Sequence, residues 1–262
     1  MLSRERSSLS GSGLTGGLEV VADYPTRYLT GPLGKQARPK AIEFYQTTLV
    51  QKQRILLHDV TLDILEGESV ALLGPPLSGK SALLACVQGL MQPARGEVRV
   101  LGATPHPLPV EVRRQIGTLP LQLDLARRET VAAYLRRFAA YYDVHLTSKQ
   151  LTTYCTSYEL EPSLQVASLS SRQARIFALS LSLVHDPRLV LLDEPLSGLS
   201  AADQTAIWPY LQRIQREGRT LLCTFSLPLA EKYLSEYDLI VRLEQGRLMR
   251  QETRRGAACK KS

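Results

Sequence analysis

Residues 74–81 read Gly74-Pro75-Pro76-Leu77-Ser78-Gly79-Lys80-Ser81, which is the pattern of a loop that binds phosphate groups. An apolar strand is predicted before this loop at residues 69–73, and a helix after it at residues 80–90. Backbone N–H groups of such a loop turn towards the β-phosphate, and the helix N-terminus adds positive potential. Lys80 is expected to contact the β- and γ-phosphate oxygens, and the Ser81 hydroxyl to bind Mg²⁺. The octamer therefore predicts a nucleotide-binding protein.

A second motif is an apolar stretch that ends in two carboxylates. Residues 189–194 read LVLLDE and predict a buried strand that holds Asp193 beside the phosphate loop, where a Mg²⁺ ligand is needed. Glu194 is in position to polarise an attacking water. An apolar strand ending in Asp-Glu is common by itself, but together with a phosphate loop it indicates a site for nucleotide hydrolysis.

Strands and helices alternate along most of the chain, and this alternation determines the predicted fold class. Further strands are predicted at residues 41–46, 59–64, 97–101, 115–119, 221–225 and 239–243, the last in a hairpin with 247–249. Helices are predicted at residues 129–143, 148–158, 172–184, 201–217 and 228–235. The pattern is typical of an α/β fold with a largely parallel sheet covered on both faces. The first three of these helices predict a helical subdomain, at about residues 122–187, inserted into that sheet.

The composition is that of a globular protein. The 262 residues are 44% apolar and 22% charged, which excludes collagen, coiled coils and wholly disordered chains. The four cysteines form no C-x-x-C pair, so we expect reduced thiols rather than a disulfide framework or a zinc site. No stretch approaches the roughly 20 apolar residues of a membrane-spanning helix, and residues 1–13 lack the apolar core of a secretion signal. We therefore expect a cytosolic protein.

The two ends of the chain differ from the middle. Residues 1–40 are rich in Ser, Gly and Pro and predict a flexible leader. The formal net charge is +7, and most of this excess lies from Arg247 onwards. A solvated basic tail is therefore predicted at residues 251–262, which leaves a folded domain at residues 41–250.

From about residue 41 to residue 249 the chain resembles the ATP-binding subunits of ABC transporters. Four motifs stand in the family's order and spacing: residues 74–81, Leu169-Ser170-Ser171-Arg172-Gln173, residues 189–194 and Ser197-Gly198-Leu199. Shorter matches occur at residues 93–98, 186–187 and 245–248. The resemblance implies a P-loop NTPase with a RecA-like sheet, an antiparallel N-terminal β subdomain and an inserted helical subdomain.

The resemblance also implies a mode of action. Two such subunits, either two copies or one copy and a related partner, bind two ATP molecules head to tail between them. Their closure drives a separate transmembrane permease, and this chain is most similar to the subunits of exporters. ATP and Mg²⁺ are the implied cofactors, and the implied location is cytoplasmic, peripheral on the inner face of the cell membrane.

The functional residues of the family have counterparts in this chain. Glu194 is the implied catalytic carboxylate, while Ser81 and Asp193 are the implied Mg²⁺ ligands. Ser170 and Gln173 belong to the signature segment, which clamps the γ-phosphate bound by the opposite subunit. The implied nucleotide-binding set is Gly74, Pro75, Pro76, Leu77, Ser78, Gly79, Lys80, Ser81, Ser170 and Gln173.

Two departures from the family's pattern affect phosphate contacts directly. Ser171 and Arg172 replace the two glycines of the signature and add side chains where the family's backbone approaches the phosphate closely. The guanidinium of Arg172 either contacts phosphate itself or blocks closure. Phe225 stands in place of the switch histidine and can neither donate nor accept a proton.

Three further departures lie in accessory loops. Leu121 stands where the family has the Q-loop glutamine, with Gln122 one residue later. Ser200 replaces the D-loop aspartate. The aromatic residue that stacks on adenine is missing near Gln51, and Tyr45 is the nearest upstream aromatic. Taken together, these departures predict relaxed or lost catalysis.

Three functions therefore remain open from the sequence. The first is an ATP-driven motor subunit that couples ATP binding and hydrolysis to transport by the permease. The second is a non-catalytic nucleotide-binding subunit, the structural or regulatory half of an asymmetric dimer. The third, suggested by the positive net charge, is a nucleic-acid-handling ATPase of the same superfamily. The sequence shows no stripe of aromatic and basic residues, so nucleic acid is the least favoured partner.

Overall fold

The computed structural model describes residues 38–123, 125, 128–226 and 229–253. The leader predicted at residues 1–40 lies almost entirely outside these described residues. So does the part of the predicted basic tail that follows Thr253. Pro228, the predicted start of the last helix, is also outside, and the described remainder of that segment is a 3₁₀ helix at Leu229–Glu236.

Nine strands and six α-helices make up the described part of the chain. The strands are β1 (Lys40–Gln51), β2 (Arg54–Leu65), β3 (Ser69–Leu73), β4 (Arg95–Val100), β5 (Ile116–Leu119), β6 (Leu189–Leu192), β7 (Thr220–Phe225), β8 (Leu239–Glu244) and β9 (Arg247–Thr253). The helices are α1 (Lys80–Val87), α2 (Val110–Arg113), α3 (Val131–Tyr141), α4 (Ser148–Ser157), α5 (Ser171–Leu183) and α6 (Ala201–Arg216). None of the described helices has the length and hydropathy needed to cross a bilayer.

Six strands form the central sheet, in the order β5-β6-β7-β3-β8-β9. The first five are parallel, and β9 runs antiparallel to β8 at one edge. This arrangement confirms the predicted α/β fold with a largely parallel sheet. Because β6, β7 and β3 are adjacent and parallel, the segments that follow them meet at one edge of the sheet, which is where ligands bind in such folds.

Both faces of the central sheet are buried. Successive side chains of each strand point to opposite faces and join two different cores. On one face, Leu73, Leu192 and Cys223 join a core that includes α3, α4, α5 and α6. On the other face, Leu72 and Leu191 join a second core that includes α1 and the strands of the antiparallel sheet. The edge at which β3, β6 and β7 end is thus held by packing on both sides.

The second sheet is antiparallel, in the order β2-β1-β4. The strands predicted at residues 41–46 and 59–64 are only parts of the longer β1 and β2. Both contain a bulge, at Gln46 (φ 43°) and Asp59 (φ 52°), where the pairing register shifts. An extra residue in a strand moves the side chains of all later residues to the opposite face. The period-2 pattern therefore breaks at the bulge, and the rest of the strand is not recognised from the sequence.

Helix α1 ends at Val87, earlier than the predicted residue 90. Gly89 has φ 72°, a left-handed conformation that glycine adopts at little cost. The N–H of Gly89 donates to the oxygen of Cys86 at 3.0 Å, and the N–H of Leu90 donates to the oxygen of Ala85 at 2.8 Å. This pair of bonds is the usual glycine-dependent stop of a helix, and it accounts for the shorter α1.

Candidate functional site

The phosphate loop, residues 74–81, lies between β3 and α1 at the edge of the central sheet. The N–H of Gly246, in the β8–β9 turn, donates to the oxygen of Ser78 at 2.9 Å. Gly79 has φ 108°, and a Cβ atom at this position would lie 2.7 Å from the oxygen of Leu56. Only glycine satisfies both conditions, so the shape of the loop depends on it.

The side chain of Lys80 folds back into the phosphate loop. It is only 4% exposed, and its Nζ donates to the oxygens of Gly74 at 2.8 Å and Pro75 at 2.9 Å. The same Nζ lies 3.3 Å from Oε1 of Glu194. Lys80 therefore joins the phosphate loop to the end of β6, and its ammonium is positioned to bind anionic oxygens.

One buried hydroxyl of the phosphate loop has no partner of its own in the described part of the chain. Ser78 is 3% exposed, and its Oγ has no hydrogen-bond partner among the described residues. Buried polar atoms are nearly always hydrogen-bonded, so an acceptor from a ligand is expected beside Ser78. Together with the ammonium of Lys80 and the N–H groups at the start of α1, this hydroxyl forms a set of donors that suits a chain of phosphates.

Asp193 and Glu194 follow β6, and one threonine of β7 holds both. Asp193 is 8% exposed; its N–H donates to the oxygen of Leu119 at 2.8 Å, and its Oδ1 accepts from Thr224 Oγ1 at 2.7 Å. Thr224 Oγ1 also accepts from the N–H of Glu194 at 2.9 Å. Asp193 and the exposed Ser81 supply hard oxygen ligands of the kind that Mg²⁺ prefers.

The carboxylate of Glu194 has two partners of its own. Its Oε1 accepts from Ser226 Oγ at 2.6 Å and lies beside Nζ of Lys80. Glu194 has φ 46°, in the left-handed region that non-glycine residues adopt rarely. Its carboxylate is thus held by Lys80 on the loop side and by Ser226 on the β7 side, while its backbone N–H donates to Thr224.

Phe225, at the position of the family's switch histidine, faces the core and not this site. It is 2% exposed, and its ring meets that of Tyr237 edge to face, with the centroids 5.8 Å apart. Cys223 points to the same side, and burial raises the pKa of its thiol well above the usual range. Since the strand alternates, Thr224 and Ser226 are the residues of this segment that face the carboxylates.

The orientation of Phe225 predicts the outcome of restoring a histidine there. We expect Phe225→His to lower the free energy of unfolding by about 1–3 kcal/mol, because it buries an imidazole among apolar side chains. We expect no increase in ATP hydrolysis. Urea denaturation and phosphate release measure the two effects, with Phe225→Leu as the apolar control. A Phe225→His variant that is as stable as the wild type and hydrolyses ATP faster would contradict the observed orientation.

Ser170 and Gln173 form a reciprocal cap at the start of α5. The N–H of Gln173 donates to Ser170 Oγ at 3.2 Å, and the N–H of Ser170 donates to Gln173 Oε1 at 3.0 Å. This capping box presents Ser170 at an exposed helix start. The structure therefore brings Lys80, Asp193 and Glu194 together in one chain, while Ser170 and Gln173 lie at a separate helix terminus.

The departures in the signature and in the D-loop are neighbours in space. The exposed Arg172 approaches Asp203 of α6, with Nε 3.9 Å from Oδ1. Ser200, at the D-loop position, caps α6 by accepting from the N–H of Asp203 at 3.1 Å. Ser200 thus has a local structural role, and Arg172 keeps its charge near the start of α6.

The accessory positions are at the surface. Leu121 is 42% exposed, and Gln122 beside it is exposed too. Gln51 is exposed at the end of β1, and Tyr45, earlier on the same strand, is 62% exposed.

Sequence reasoning missed Thr224, Ser226 and Arg175. The available signal for the first two was the spacing of polar residues at the end of an apolar strand, two positions apart and hence on one face.

Arg175 is buried, which lowers the pKa of its guanidinium, and its Nη2 donates to the oxygen of Ser197 at 3.2 Å. It ties α5 to the loop that follows Glu194.

Sequence comparison finds relatives among ABC transporter proteins. The ABC transporter family profile matches residues 57–197, just over half of the chain. Nod factor export ATP-binding protein I of Rhizobium johnstonii is 30% identical over 196 residues, which cover 71% of this chain and 61% of that protein. The ABC transporter ATP-binding protein NatA of Bacillus subtilis is 27% identical over 74% of this chain and 80% of its own length. The chain thus spans about three fifths of the Nod factor export relatives.

Structure comparison finds the same fold. A solved ATP-binding subunit of an ABC transporter superposes with a TM-score of 0.70 at 26% identity, over 82% of this chain and 90% of its own. A dimeric ATP-binding cassette in a post-hydrolysis state, bound to ADP and phosphate, superposes with a TM-score of 0.71 at 24% identity, over 82% of this chain and 99% of its own. The solved structures share the fold, and the family profile, which matches more than half of the chain, shows that the chain belongs to the ABC transporter family.

Proposed function

We propose that the chain is an ATP-binding subunit that couples the binding and slow hydrolysis of Mg-ATP to transport by a separate membrane permease. The observation that carries this proposal is the contact between Lys80 and Glu194, with 3.3 Å between Nζ and Oε1. It joins the phosphate loop to the paired carboxylates in one site. The unpartnered hydroxyl of Ser78 is consistent with the proposal, because it leaves a donor in the phosphate loop without an acceptor among the residues that the structure describes.

Each residue of this site has a role that follows from its chemistry. The N–H groups of residues 74–81 and the ammonium of Lys80 bind the β- and γ-phosphates. Ser81 and Asp193 hold Mg²⁺, which neutralises charge on the phosphates when it is bound. Glu194 orients a water against the γ-phosphate and accepts its proton. Lys80 has to leave the oxygens of Gly74 and Pro75 to reach the phosphates, so nucleotide binding exchanges one set of acceptors for another.

Slow hydrolysis follows from three features of the chain. Phe225 is buried against Tyr237 and offers no group to the γ-phosphate. Ser171 and Arg172 place side chains at the start of α5, where a partner's nucleotide has to approach closely. We expect turnover far below the ~1–10³ s⁻¹ usual for enzymes. These features also favour the second candidate function, a regulatory subunit that binds ATP without hydrolysing it.

The proposed partners follow from the relatives. The Nod factor export and NatA relatives are named ATP-binding proteins, and a solved cassette of the same fold is dimeric. We therefore propose that this chain pairs with a second ATP-binding subunit, through Ser170 and Gln173, on the inner face of the cell membrane. An exporter is the favoured transporter class because the Nod factor relatives are named export proteins, and nucleic acid is not a proposed partner.

The proposed function is tested by equilibrium dialysis and by purification from membranes. With Mg²⁺ present, we expect one saturable ATP site per chain, displaced by ADP. From cells that contain its natural partners, the tagged chain should purify in mild detergent with a polypeptide that has several membrane-spanning helices. A chain that binds no ATP, or that binds DNA or RNA in a salt-dependent manner instead, would contradict the proposal.

The site predicts weak selection for the base. The family's aromatic residue, which stacks on the base, is missing near Gln51. Stacking of a base on an aromatic side chain is worth about 1–3 kcal/mol. We therefore expect the dissociation constants for ATP and GTP to agree within a few-fold in competition dialysis. A strong preference for ATP would show that another ring stacks on adenine, and Tyr45→Ala would then abolish that preference if Tyr45 supplies the ring.

A further inference from the structure

The segment that ends β7 carries a hydroxyl at every second position. Thr224 and Ser226 point to the side of the carboxylates, while Phe225 between them points into the core against Tyr237. This arrangement follows from the alternation of side chains along a strand. The chain therefore presents the hydroxyls of Thr224 and Ser226 to the carboxylates. The family's pattern has its histidine between them, at position 225.

The two hydroxyls divide the two carboxylates between them. Thr224 Oγ1 donates to Oδ1 of Asp193 at 2.7 Å, and Ser226 Oγ donates to Oε1 of Glu194 at 2.6 Å. Thr224 also accepts from the N–H of Glu194. Glu194 is thus attached to β7 twice, by its backbone through Thr224 and by its carboxylate through Ser226.

The bond from Ser226 differs from the other contact of the same oxygen. Lys80 also lies beside Oε1 of Glu194, but its ammonium is the group that bound phosphates attract. Once Lys80 turns to the phosphates, we expect the hydroxyl of Ser226 to remain on Oε1. The Ser226 hydroxyl is uncharged, so the phosphates attract it less than they attract the ammonium of Lys80. We therefore expect it to hold Glu194 both with and without bound nucleotide.

We propose that Ser226 is a positioning residue for ATP hydrolysis, which fixes the carboxylate of Glu194 through Oε1 and leaves Oε2 to bind the attacking water. This inference rests on the proposed function, since it requires Mg-ATP in the phosphate loop. The water oxygen bonds to the γ-phosphorus while the bond from that phosphorus to the β–γ bridging oxygen breaks. The proton of the water passes to Oε2 of Glu194 and then to the released phosphate, so the products are ADP and inorganic phosphate.

The experiment compares Ser226→Ala and Ser226→Thr with the wild type in single-turnover release of phosphate from Mg-ATP. We expect Ser226→Ala to slow release by about 10-fold, the scale of one hydrogen bond to a charged group. Ser226→Thr keeps the hydroxyl and should restore release to within a few-fold of the wild type. The dissociation constant for Mg-ATP should change by less than about 2-fold in both variants, because the hydroxyl of Ser226 is used in its bond to Glu194.

A matched control lies outside the site. Ser163 Oγ donates to Oε1 of Glu161 at 2.8 Å on an exposed loop, so Ser163→Ala removes an equivalent serine–glutamate bond and should leave phosphate release unchanged. If Ser226 had only a structural role, Ser226→Ala would lower the urea midpoint and weaken ATP binding as well as slow phosphate release. We expect Ser226→Ala to slow phosphate release while the urea midpoint and the ATP affinity stay unchanged.

Three results would overturn the role of Ser226. They are an unchanged rate in Ser226→Ala, a rate lost equally in Ser226→Thr, or wild-type release no faster than that of Glu194→Gln. ATP binding in the same samples separates the two levels of inference. If the wild type binds Mg-ATP and releases phosphate faster than Glu194→Gln, the failure concerns Ser226 alone. If it binds Mg-ATP but releases phosphate no faster than Glu194→Gln, the proposed hydrolysis fails as well, and if it binds none, the whole proposed function fails.

Discussion

Release of phosphate by Glu194→Gln is expected to be about 100-fold slower than by the wild type, at the lower end of the effect of removing a general base. The amide keeps the shape of the side chain, but it cannot accept the proton of the attacking water. The dissociation constant for Mg-ATP should not rise, because the ion pair between Glu194 and Lys80 is lost and the ammonium is freed for the phosphates.

The measurement is single-turnover phosphate release with the protein in excess over radiolabelled ATP, which detects slow rates. Glu161→Gln is the control, because it removes an exposed carboxylate that also accepts from a serine. If Glu194→Gln releases phosphate at the wild-type rate while binding ATP, the chain is a non-catalytic nucleotide-binding subunit. Brisk wild-type turnover that Glu194→Gln abolishes would instead contradict the expectation of slow hydrolysis.

Replacing Lys80 by Ala should weaken Mg-ATP binding by at least about 10-fold. Hydrogen bonds to charged groups contribute about 1.5–3 kcal/mol, and about 1.4 kcal/mol corresponds to a factor of ten in affinity. Calorimetric titration with Mg-ATP measures the change, and Lys149→Ala, on the exposed surface of α4, is the control for a lost positive charge.

The fold of the Lys80→Ala variant needs its own check, because Nζ donates to the oxygens of Gly74 and Pro75 inside the loop. A urea denaturation curve close to that of the wild type would show that the loop's scaffold survives. Unchanged ATP affinity in a folded Lys80→Ala variant would contradict the assignment of residues 74–81 as the phosphate-binding loop.

The parts of the site that are local in sequence could be predicted. The phosphate loop and the run 189–194 each combine an apolar strand with polar residues directly after it, and the parallel order of β3 and β6 brings their ends to one edge. The contact between Lys80 and Glu194 follows from that topology. The start of α5 was also predictable, because Ser170 and Gln173 have the spacing of a capping box.

Features that depend on register were not predictable. The bulges at Gln46 and Asp59 reverse the faces of β1 and β2, and a single chain gives no periodic signal for an inserted residue. The choice between Phe225 and Ser226 as the residue that faces Glu194 depends on the pairing of β7 with β3 and β6. A family pattern alone places position 225 in the site, while the packing of its aromatic ring against Tyr237 directs it to the core.

The central claim is that residues 74–81 and the carboxylates after β6 bind Mg-ATP in one site. A crystal structure of the wild-type protein with Mg²⁺ and the non-hydrolysable β,γ-imido analogue of ATP tests it most directly. We predict the triphosphate inside the loop, Lys80 Nζ moved from the oxygens of Gly74 and Pro75 to the phosphates, and Mg²⁺ on Ser81 and Asp193. The analogue bound elsewhere, or Lys80 unmoved beside an ordered triphosphate, would contradict the claim.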